Sequence, residues 1–209
     1  MKNGMSRFHS FPQQRYQVAR EILKAQSPTG RPEPDTEYIE LDSGRLFQGL
    51  WLDHYEDLMP RCGGKNLVCV ACKLAMHTKG IIYCIRNHVP LILVGYTSKQ
   101  GYYPEQTQVF MEKLADFSSQ FGITTAYPLY EPFSDKHIAR HLLEEHGLPS
   151  TGGGERKCLF CQTKTTATEK EIGQYLDLMF PRTAAFVEHT LAGRIREAAL
   201  CFPPGNQQL

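Results

Sequence analysis

The sequence predicts an α/β fold: a Rossmann-like parallel sheet flanked by helices, followed by a helical extension at the C-terminus. Short apolar runs at residues 91–94 and 123–129 predict the strands, and helical patterns alternate with them. Strands separated by helices form right-handed βαβ units, so we expect the two strands to lie parallel. No strand pattern follows residue 165, so we expect an α/β domain at 1–165 and a helical extension at 166–209.

Composition bounds the class of protein. The chain has 209 residues, of which 41% are hydrophobic, and its formal net charge is +1. Such a chain can bury a core, and it has no global basic field that would indicate nucleic-acid binding. Residues 1–10 are polar and predict no secretory signal, and the apolar stretch at 80–94 is too short and too interrupted to cross a bilayer. We therefore expect a soluble cytoplasmic protein with no membrane partner.

The first third of the chain is predicted to contain two helices, one short strand and two connecting segments. In chain order these are a helix at 12–26, a loop at 27–35, a strand at 37–41, a helix at 46–58 and a turn at 61–66. The helices are predicted by apolar residues at helical spacing, and the loop by its three prolines.

The rest of the chain carries the alternating pattern. In chain order we expect a helix at 69–88, a strand at 91–94, a helix from Pro104 to residue 120, a strand at 123–129, a helix from Ser134 to Gly147, a loop at 150–157, a helix at 168–179 and a last helix beginning at Pro181. The unbroken apolar run at 91–94 is typical of a strand buried on both faces. Thr168 and Glu171 form a capping-box pattern for the helix that follows them.

Two Cys-x-x-Cys pairs, Cys69/Cys72 and Cys158/Cys161, are the strongest functional signal. The members of the first pair lie at i and i+3 where a helix begins, so both sulfur atoms can point the same way. A helix N-terminus also favours the thiolate form that a metal needs. Four thiolates suit tetrahedral zinc or an iron–sulfur cluster, and three thiolates suit a cluster with an open iron. The sequence therefore predicts a metal site on these four cysteines.

Other uses of the cysteines carry less weight. Buried cysteines can serve as small core hydrophobes, but two matched pairs favour metal. A redox disulfide of the thioredoxin type would follow a strand, whereas Cys69 follows a glycine-containing turn. We expect Cys84 to lie in the core, and Cys62 to be a reserve ligand at most.

Several polar residues are candidates for ligand contact. Lys99, Gln100, Tyr102 and Tyr103 follow the strand at 91–94, and ligands of open α/β sheets bind at the carboxyl ends of strands. An ordinary surface loop is an equal alternative. Lys136 opens a helix, where the helix dipole disfavours a cation, so it is either an anion contact or a solvated lysine.

Basic residues surround the cysteine pairs in sequence. They are Lys73, Lys79, Arg86, Arg156 and Lys157. Together they could form a basic rim that attracts RNA phosphates, or they could be scattered solvated charges. His137 and His141 share a helix face, but two histidines alone are a weak metal pair, so we favour surface positions for them.

The order of these segments resembles the PP-loop ATP pyrophosphatases, which are adenine nucleotide alpha-hydrolase-like enzymes. The matching segments are Cys69-Val-Ala-Cys72-Lys73, the strand ending at Gly95, Tyr127-Pro-Leu129, Ser134-Asp-Lys136 and Lys157-Cys158-Leu-Phe-Cys161. The resemblance spans about residues 12–165. It is closest to two branches: the iron–sulfur tRNA thiolases, including the 2-thiocytidine tRNA sulfurtransferases, and the 7-cyano-7-deazaguanine synthases, which the segment Tyr103-Pro-Glu105 resembles.

The two branches imply different metals. The thiolase branch implies a [4Fe–4S] cluster on Cys69, Cys72 and Cys158, with Cys161 as a fourth or reserve ligand. The deazaguanine branch implies zinc on all four cysteines. The family resemblance also implies cofactor contacts at Gly95, Tyr96 and Lys136.

One family feature is missing. The nucleotide loop Ser-Gly-Gly-x-Asp-Ser, which presents backbone N–H groups to a pyrophosphate, does not occur, so the fold is expected to be truncated at its N-terminus. ATP would then be bound only with a loop from a partner chain or in a homo-oligomer. The leading hypothesis is a subunit of a sulfur-transfer enzyme acting on a tRNA base. The alternatives are a non-catalytic zinc scaffold and a deazaguanine-synthase-like enzyme.

Overall fold

The computed structural model describes residues 12–26, 36–63, 67–131, 136–147 and 167–203. It is a mixed α/β protein, mostly helical, and its described residues include a small parallel sheet. They divide into two compact units. The first contains 41–63, 67–131 and 167–203, and the second contains 12–26, 36–40 and 136–147.

The second unit contains two helices, α1 (Pro12–Gln26) and α6 (Lys136–Glu145). Both confirm the predicted helices, and α6 gives way to a turn at Gly147, whose φ of 70° suits glycine. The Tyr16 hydroxyl donates to the Thr36 carbonyl, and the Tyr16 ring packs 5.6 Å from the Tyr38 ring. The predicted strand at 37–41 is wrong: residues 37–41 have no regular secondary structure, and a single bridge residue, Asp42, follows them.

The helix predicted at 46–58 is divided in two. It consists of α2 (Gly44–Leu50), a 3₁₀ turn (Leu52–His54) and α3 (Tyr55–Cys62). The break lies at Trp51, whose φ of −139° leaves the helical region. The Trp51 ring packs edge-on against Tyr55 and Tyr175, so the change of direction keeps both Leu50 and Leu58 in the core. α3 also extends into the predicted turn and ends at Gly63, while 64–66 lie outside the described residues.

The cysteine-bearing helix, α4, spans Leu67–Arg86 and confirms the helix predicted at 69–88 to within two residues at each end. It is the one helix in the described part of the chain that is long and apolar enough to cross a membrane. More than half of its apolar window is buried inside the protein, as in the core helix of a soluble domain. Its buried face includes Leu74, Thr78 and Ile81.

Within the described residues the sheet consists of β1 (Leu91–Leu93) and β2 (Thr124–Ala126), paired in parallel with Leu91 opposite Thr124. The parallel arrangement is therefore confirmed, although both strands are shorter than predicted. Burial of the first strand on both faces is wrong: Leu91 and Leu93 are 43% and 63% exposed, and the intervening Ile92 is half-buried. A side-chain period of two accounts for this alternation, since Leu91 and Leu93 lie on one face of the strand and Ile92 lies on the other.

A 3₁₀ turn (Pro104–Gln106) and α5 (Gln108–Ser119) connect the two strands. One continuous helix was expected from Pro104. Thr107 separates the two elements because it has an extended backbone and caps α5, accepting a hydrogen bond from the Phe110 amide on its Oγ1.

The C-terminal segment contributes α7 (Glu169–Leu191) and α8 (Ile195–Leu200). The predicted capping box of Thr168 and Glu171 is present. The helix start predicted at Pro181 is wrong: α7 continues through this exposed proline, and buried residues before and after it, Met179 and Val187, hold the helix on the core.

Candidate functional site

α4 positions the first cysteine pair. Cys69 and Cys72 are the third and sixth residues of α4, and both side chains are half-buried. Leu67, Val70 and Ala71 are fully buried and fix this end of the helix, so the two thiols lie one turn apart on a rigid support. Soft thiol donors at this spacing fit zinc or iron, so the described half of the predicted site is suited to a metal.

The other half of the predicted metal site consists of Cys158 and Cys161, which lie outside the described residues. Among the residues that are described, no group of three or more His, Cys, Asp or Glu side chains could hold a metal ion.

Two further cysteines belong to the core. Cys84 on α4 and Cys62 on α3 are both buried, and burial raises the pKa of each thiol. A raised pKa keeps these side chains in the thiol form, which is a poor metal ligand. The expected core position of Cys84 is confirmed.

A group of aromatic and charged side chains lies at the carboxyl ends of the strands. Tyr96, three residues beyond β1, is only 5% exposed, and Tyr127 directly follows β2. Their rings stack with centroids 5.8 Å apart and planes at 12°. The Lys73 ammonium of α4 lies 5.7 Å from the Tyr96 ring centroid. The Tyr96 ring therefore has an aromatic neighbour and a cation close to it.

His77 of α4 completes the surroundings of Tyr96. Its Nε2 atom lies 3.3 Å from the Tyr96 hydroxyl oxygen, and both side chains are buried. Burial, with a smaller contribution from Lys73, lowers the pKa of His77 to about 3. Burial raises the pKa of Tyr96 well above its usual value, and nearby Glu105, Tyr127 and Cys72 add to the rise. At neutral pH this contact therefore joins an uncharged imidazole and an uncharged phenol.

The 3₁₀ turn Pro104–Gln106 brings a carboxyl group into the same region, and all three of its residues are buried. Gln106 is well bonded: its Oε1 accepts from the Thr97 amide at 3.1 Å and its Nε2 donates to Gln100 at 2.9 Å. The Tyr130 hydroxyl donates to the Gln106 carbonyl at 3.3 Å. These bonds hold the turn on both sides.

Glu105 differs from its neighbour. Its side chain is 9% exposed, and its Oε2 atom is buried without a hydrogen-bond partner. Burial raises the pKa of this carboxyl group, while a hydrogen bond to its own backbone and the nearby Lys73 lower it. Lys73 thus lowers the pKa of both His77 and Glu105, and its ammonium lies beside the Tyr96 ring. We call Lys73, His77, Tyr96, Glu105 and Tyr127 the strand-end cluster.

The predicted cofactor contacts fall in different places. Gly95 and Tyr96 follow β1, and Tyr96 belongs to the strand-end cluster. Lys136 is the first residue of α6, in the second unit, and its side chain lies outside the described part of the structure.

The remaining sequence candidates lie mostly at the surface. Tyr102 and Tyr103 pack on each other with centroids 4.3 Å apart, and His137 and His141 are exposed, as expected for the histidines.

The predicted basic rim is divided. The Lys79 ammonium lies 5.5 Å from the Phe186 ring centroid, and Arg86 donates a hydrogen bond to the Thr190 carbonyl at 3.0 Å. Both basic side chains therefore contact residues of α7. Lys73 instead belongs to the strand-end cluster, and Arg156 and Lys157 lie outside the described residues. Sequence reasoning missed His77, although a histidine between Leu74 and Ile81 on an apolar helix face is a signal for it.

Comparisons with known proteins add no relative: no family model, no curated protein and no solved structure matches this chain.

Proposed function

We propose that this chain is a cytoplasmic subunit of a PP-loop-type enzyme that holds a metal centre and takes part in sulfur transfer to a base in tRNA. The observation that carries the proposal is the position of Cys72 on α4 directly before Lys73, whose ammonium lies 5.7 Å from the Tyr96 ring centroid. A thiol pair beside buried ionisable groups at the ends of parallel strands is typical of an active site.

The fold supports the proposal in part. A parallel β–helix–β connection with helices packed on the sheet is compatible with a Rossmann-like domain. In that interpretation the strand-end cluster occupies the edge where such folds bind their ligands.

Cys69 and Cys72 would hold the metal together with Cys158 and Cys161. An iron–sulfur cluster there would supply an iron atom able to carry sulfide, whereas zinc would supply structural stability. The chain's own residues would bind and orient the substrate: Lys73 offers hydrogen-bond donors, Glu105 offers an acceptor, and the Tyr96 and Tyr127 rings limit access of water.

The nucleotide would need a second source of contacts. Gly95 and Lys136 remain candidates for contact with ATP, and the missing phosphate loop would come from a partner chain or from a homo-oligomer. The proposal of a second source rests on residues 1–209, which contain no Ser-Gly-Gly-x-Asp-Ser motif to present backbone N–H groups to a pyrophosphate.

The metal is the most direct test. We expect protein purified without oxygen to contain iron and acid-labile sulfide, and to show the visible absorption of an iron–sulfur cluster. Cys69→Ser and Cys72→Ser should lose iron, while Cys201→Ser, at the end of α8, is the control that keeps it. Stoichiometric zinc with no iron would overturn the sulfur-transfer proposal.

Zinc would favour one of two alternatives. The deazaguanine-synthase-like enzyme is supported by the buried, firmly held segment that contains Pro104 and Glu105. The non-catalytic zinc scaffold is supported by the missing nucleotide loop. ATP binding by the zinc-loaded protein, alone or with a co-purified partner, would favour the enzyme, and its absence would favour the scaffold.

A further inference from the structure

The outer edge of β1 presents unpaired backbone groups. At the two ends of the pairing, β2 donates a hydrogen bond to the Pro90 carbonyl at 2.8 Å, and Val94 donates one to β2 at 2.9 Å. Alternate residues of a paired strand bond to the same neighbour, so Pro90, Ile92 and Val94 turn their backbone groups toward β2. The N–H and C=O groups of Leu91 and Leu93 therefore point away from β2, and within the described residues they form no hydrogen bond.

This free edge lacks the features that normally keep an edge strand from pairing. Such strands are commonly protected by a charged side chain or by a proline. Residues 87–96 contain no Lys, Arg, Asp or Glu, and the missing N–H of Pro90 lies on the side of β2. The Leu91 and Leu93 side chains, 43% and 63% exposed, add apolar surface beside the edge. The edge of β1 is therefore suited to accept another strand.

The symmetry of β1 identifies the strand that fits. Leu91-Ile92-Leu93 reads the same in both directions, so a second copy of β1 can pair antiparallel about a two-fold axis at Ile92. Leu91 then lies opposite the partner's Leu93, and each such pair exchanges both of its N–H···O bonds, which satisfies every free group. The leucine pairs cover each other on the exposed face, and the uncharged segment brings no like charges together.

We propose that two copies of this chain associate through the outer edge of β1, pairing antiparallel to form a continuous sheet in the order β2–β1–β1–β2. The pairing requires neither the metal nor the substrate of the proposed function. Strands this short bury far less than the roughly 1,600 Å² of a standard stable interface. We therefore expect a reversible dimer with a dissociation constant of about 10–100 µM.

Sedimentation equilibrium of the full-length protein, over concentrations that span this range, measures the association. Leu91→Lys/Leu93→Lys places the new lysines opposite each other, so the dimer should weaken at least about tenfold. Both leucines are exposed, so the variant should keep its fold, as circular dichroism can verify. An equimolar mixture with Leu91→Glu/Leu93→Glu should restore association, because opposite charges then meet. Leu200→Lys, at an exposed leucine of α8, is the matched control and should associate like the unmodified protein.

A cross-link tests the register of the two strands. Leu91→Cys mixed with Leu93→Cys should form a disulfide on oxidation, because opposite residues of a hydrogen-bonded antiparallel pair have Cα atoms about 5.5 Å apart. Neither variant alone should link to itself through the new thiol, since identical positions lie farther apart. Peptide mapping by mass spectrometry distinguishes this bond from any that involves a native cysteine. A protein that stays monomeric throughout, a dimer unchanged by the lysine variant, or a cross-link no more abundant in the mixture than in either variant alone would each overturn the inference.

Discussion

The Nε2 atom of His77 lies 3.3 Å from the hydroxyl oxygen of Tyr96, and this contact is buried between α4 and the segment that follows β1. Neither group is charged at neutral pH, because burial lowers the pKa of the imidazole and raises that of the phenol. Burial also raises the pKa of Glu105 and of Tyr127 in the same cluster. These shifts make the stability of the protein depend on pH.

Acid should destabilise the protein through His77. The pKa of His77 falls from 6.5 to about 3 on folding, so between these values the unfolded chain binds a proton that the folded protein does not. Stability from this residue is complete above pH 6.5 and decreases as the pH falls. At pH 5 we expect a loss of about 2 kcal/mol, at roughly 1.4 kcal/mol per pH unit.

The check is urea unfolding of the unmodified protein and of His77→Asn between pH 7 and pH 4.5. The variant should be less stable at pH 7, because Tyr96 loses a partner, but the difference should shrink on acidification. The pKa of His54 is also lowered, but His54 is present in both proteins, so its contribution to the pH dependence cancels in the difference. A constant difference across this range would contradict the prediction.

Glu105→Gln should stabilise the protein at neutral pH. Burial raises the pKa of Glu105 above its unfolded value, so its stabilising contribution is complete below pH 4.5 and is lost as the pH rises through the folded pKa. Glutamine has the same shape without the charge. We expect the free energy of unfolding to rise by about 1 kcal/mol at pH 7 and to be nearly unchanged at pH 4.

Glu112→Gln is the control for this comparison, because its carboxylate is exposed on α5. It should change stability by less than about 0.5 kcal/mol at either pH. A gain of stability on removing a buried charge is expected where a residue is kept for binding rather than for folding. If Glu105→Gln is instead destabilising at pH 7, the carboxylate has a stabilising partner and its proposed role as an acceptor for the substrate loses its basis.

The sequence predicted those elements whose signals are local. The capping box at Thr168 and the long α4 helix follow from short-range patterns and are confirmed. The break at Trp51 depends on its packing against Tyr175, more than 120 residues away, so no local pattern predicts it. The prediction that the strand at 91–94 is buried on both faces was wrong for the same reason, since an apolar run does not show whether a second layer covers it.

The candidate site was predicted unevenly as well. The spacing of Cys69 and Cys72 is visible in the sequence, and the structure places both on one helix end. The meeting of Lys73, Tyr96 and Glu105 was not predicted, because three separate elements bring them together. Position on the chain identifies the thiol pair, but only the fold identifies its neighbours.

Gly63→Ala should destabilise the protein strongly. Gly63 ends α3 with a φ of 82°, and an added Cβ would lie 2.1 Å from the Glu171 Oε1 atom. The substitution therefore strains the backbone and displaces the carboxylate that completes the capping box of α7. We expect a loss of about 2–3 kcal/mol in the free energy of unfolding.

Gly193→Ala separates these two causes. Its φ of 74° imposes the same backbone strain, but nothing lies within 4 Å of an added Cβ. The Gly193→Ala variant should lose only about 1 kcal/mol of its free energy of unfolding, measured by urea unfolding under the same conditions. Equal losses in the two variants would mean that Glu171 moves aside without cost.

Removal of the proposed metal should lower the melting temperature only when the first cysteine pair is intact. A ligand that binds the folded state and not the unfolded chain stabilises by about 4 kcal/mol at a thousandfold excess over its dissociation constant. The thiols of Cys69 and Cys72 lie near the start of α4, so the metal would tie this end of the core helix to the rest of its site. We therefore expect a chelator to lower the melting temperature of the unmodified protein, measured by calorimetry without oxygen.

The double variant Cys69→Ser/Cys72→Ser should already melt at the lower temperature and should not respond to the chelator. A chelator effect of the same size in the double variant would place the stabilising metal elsewhere, because these two thiols would then contribute nothing to its binding.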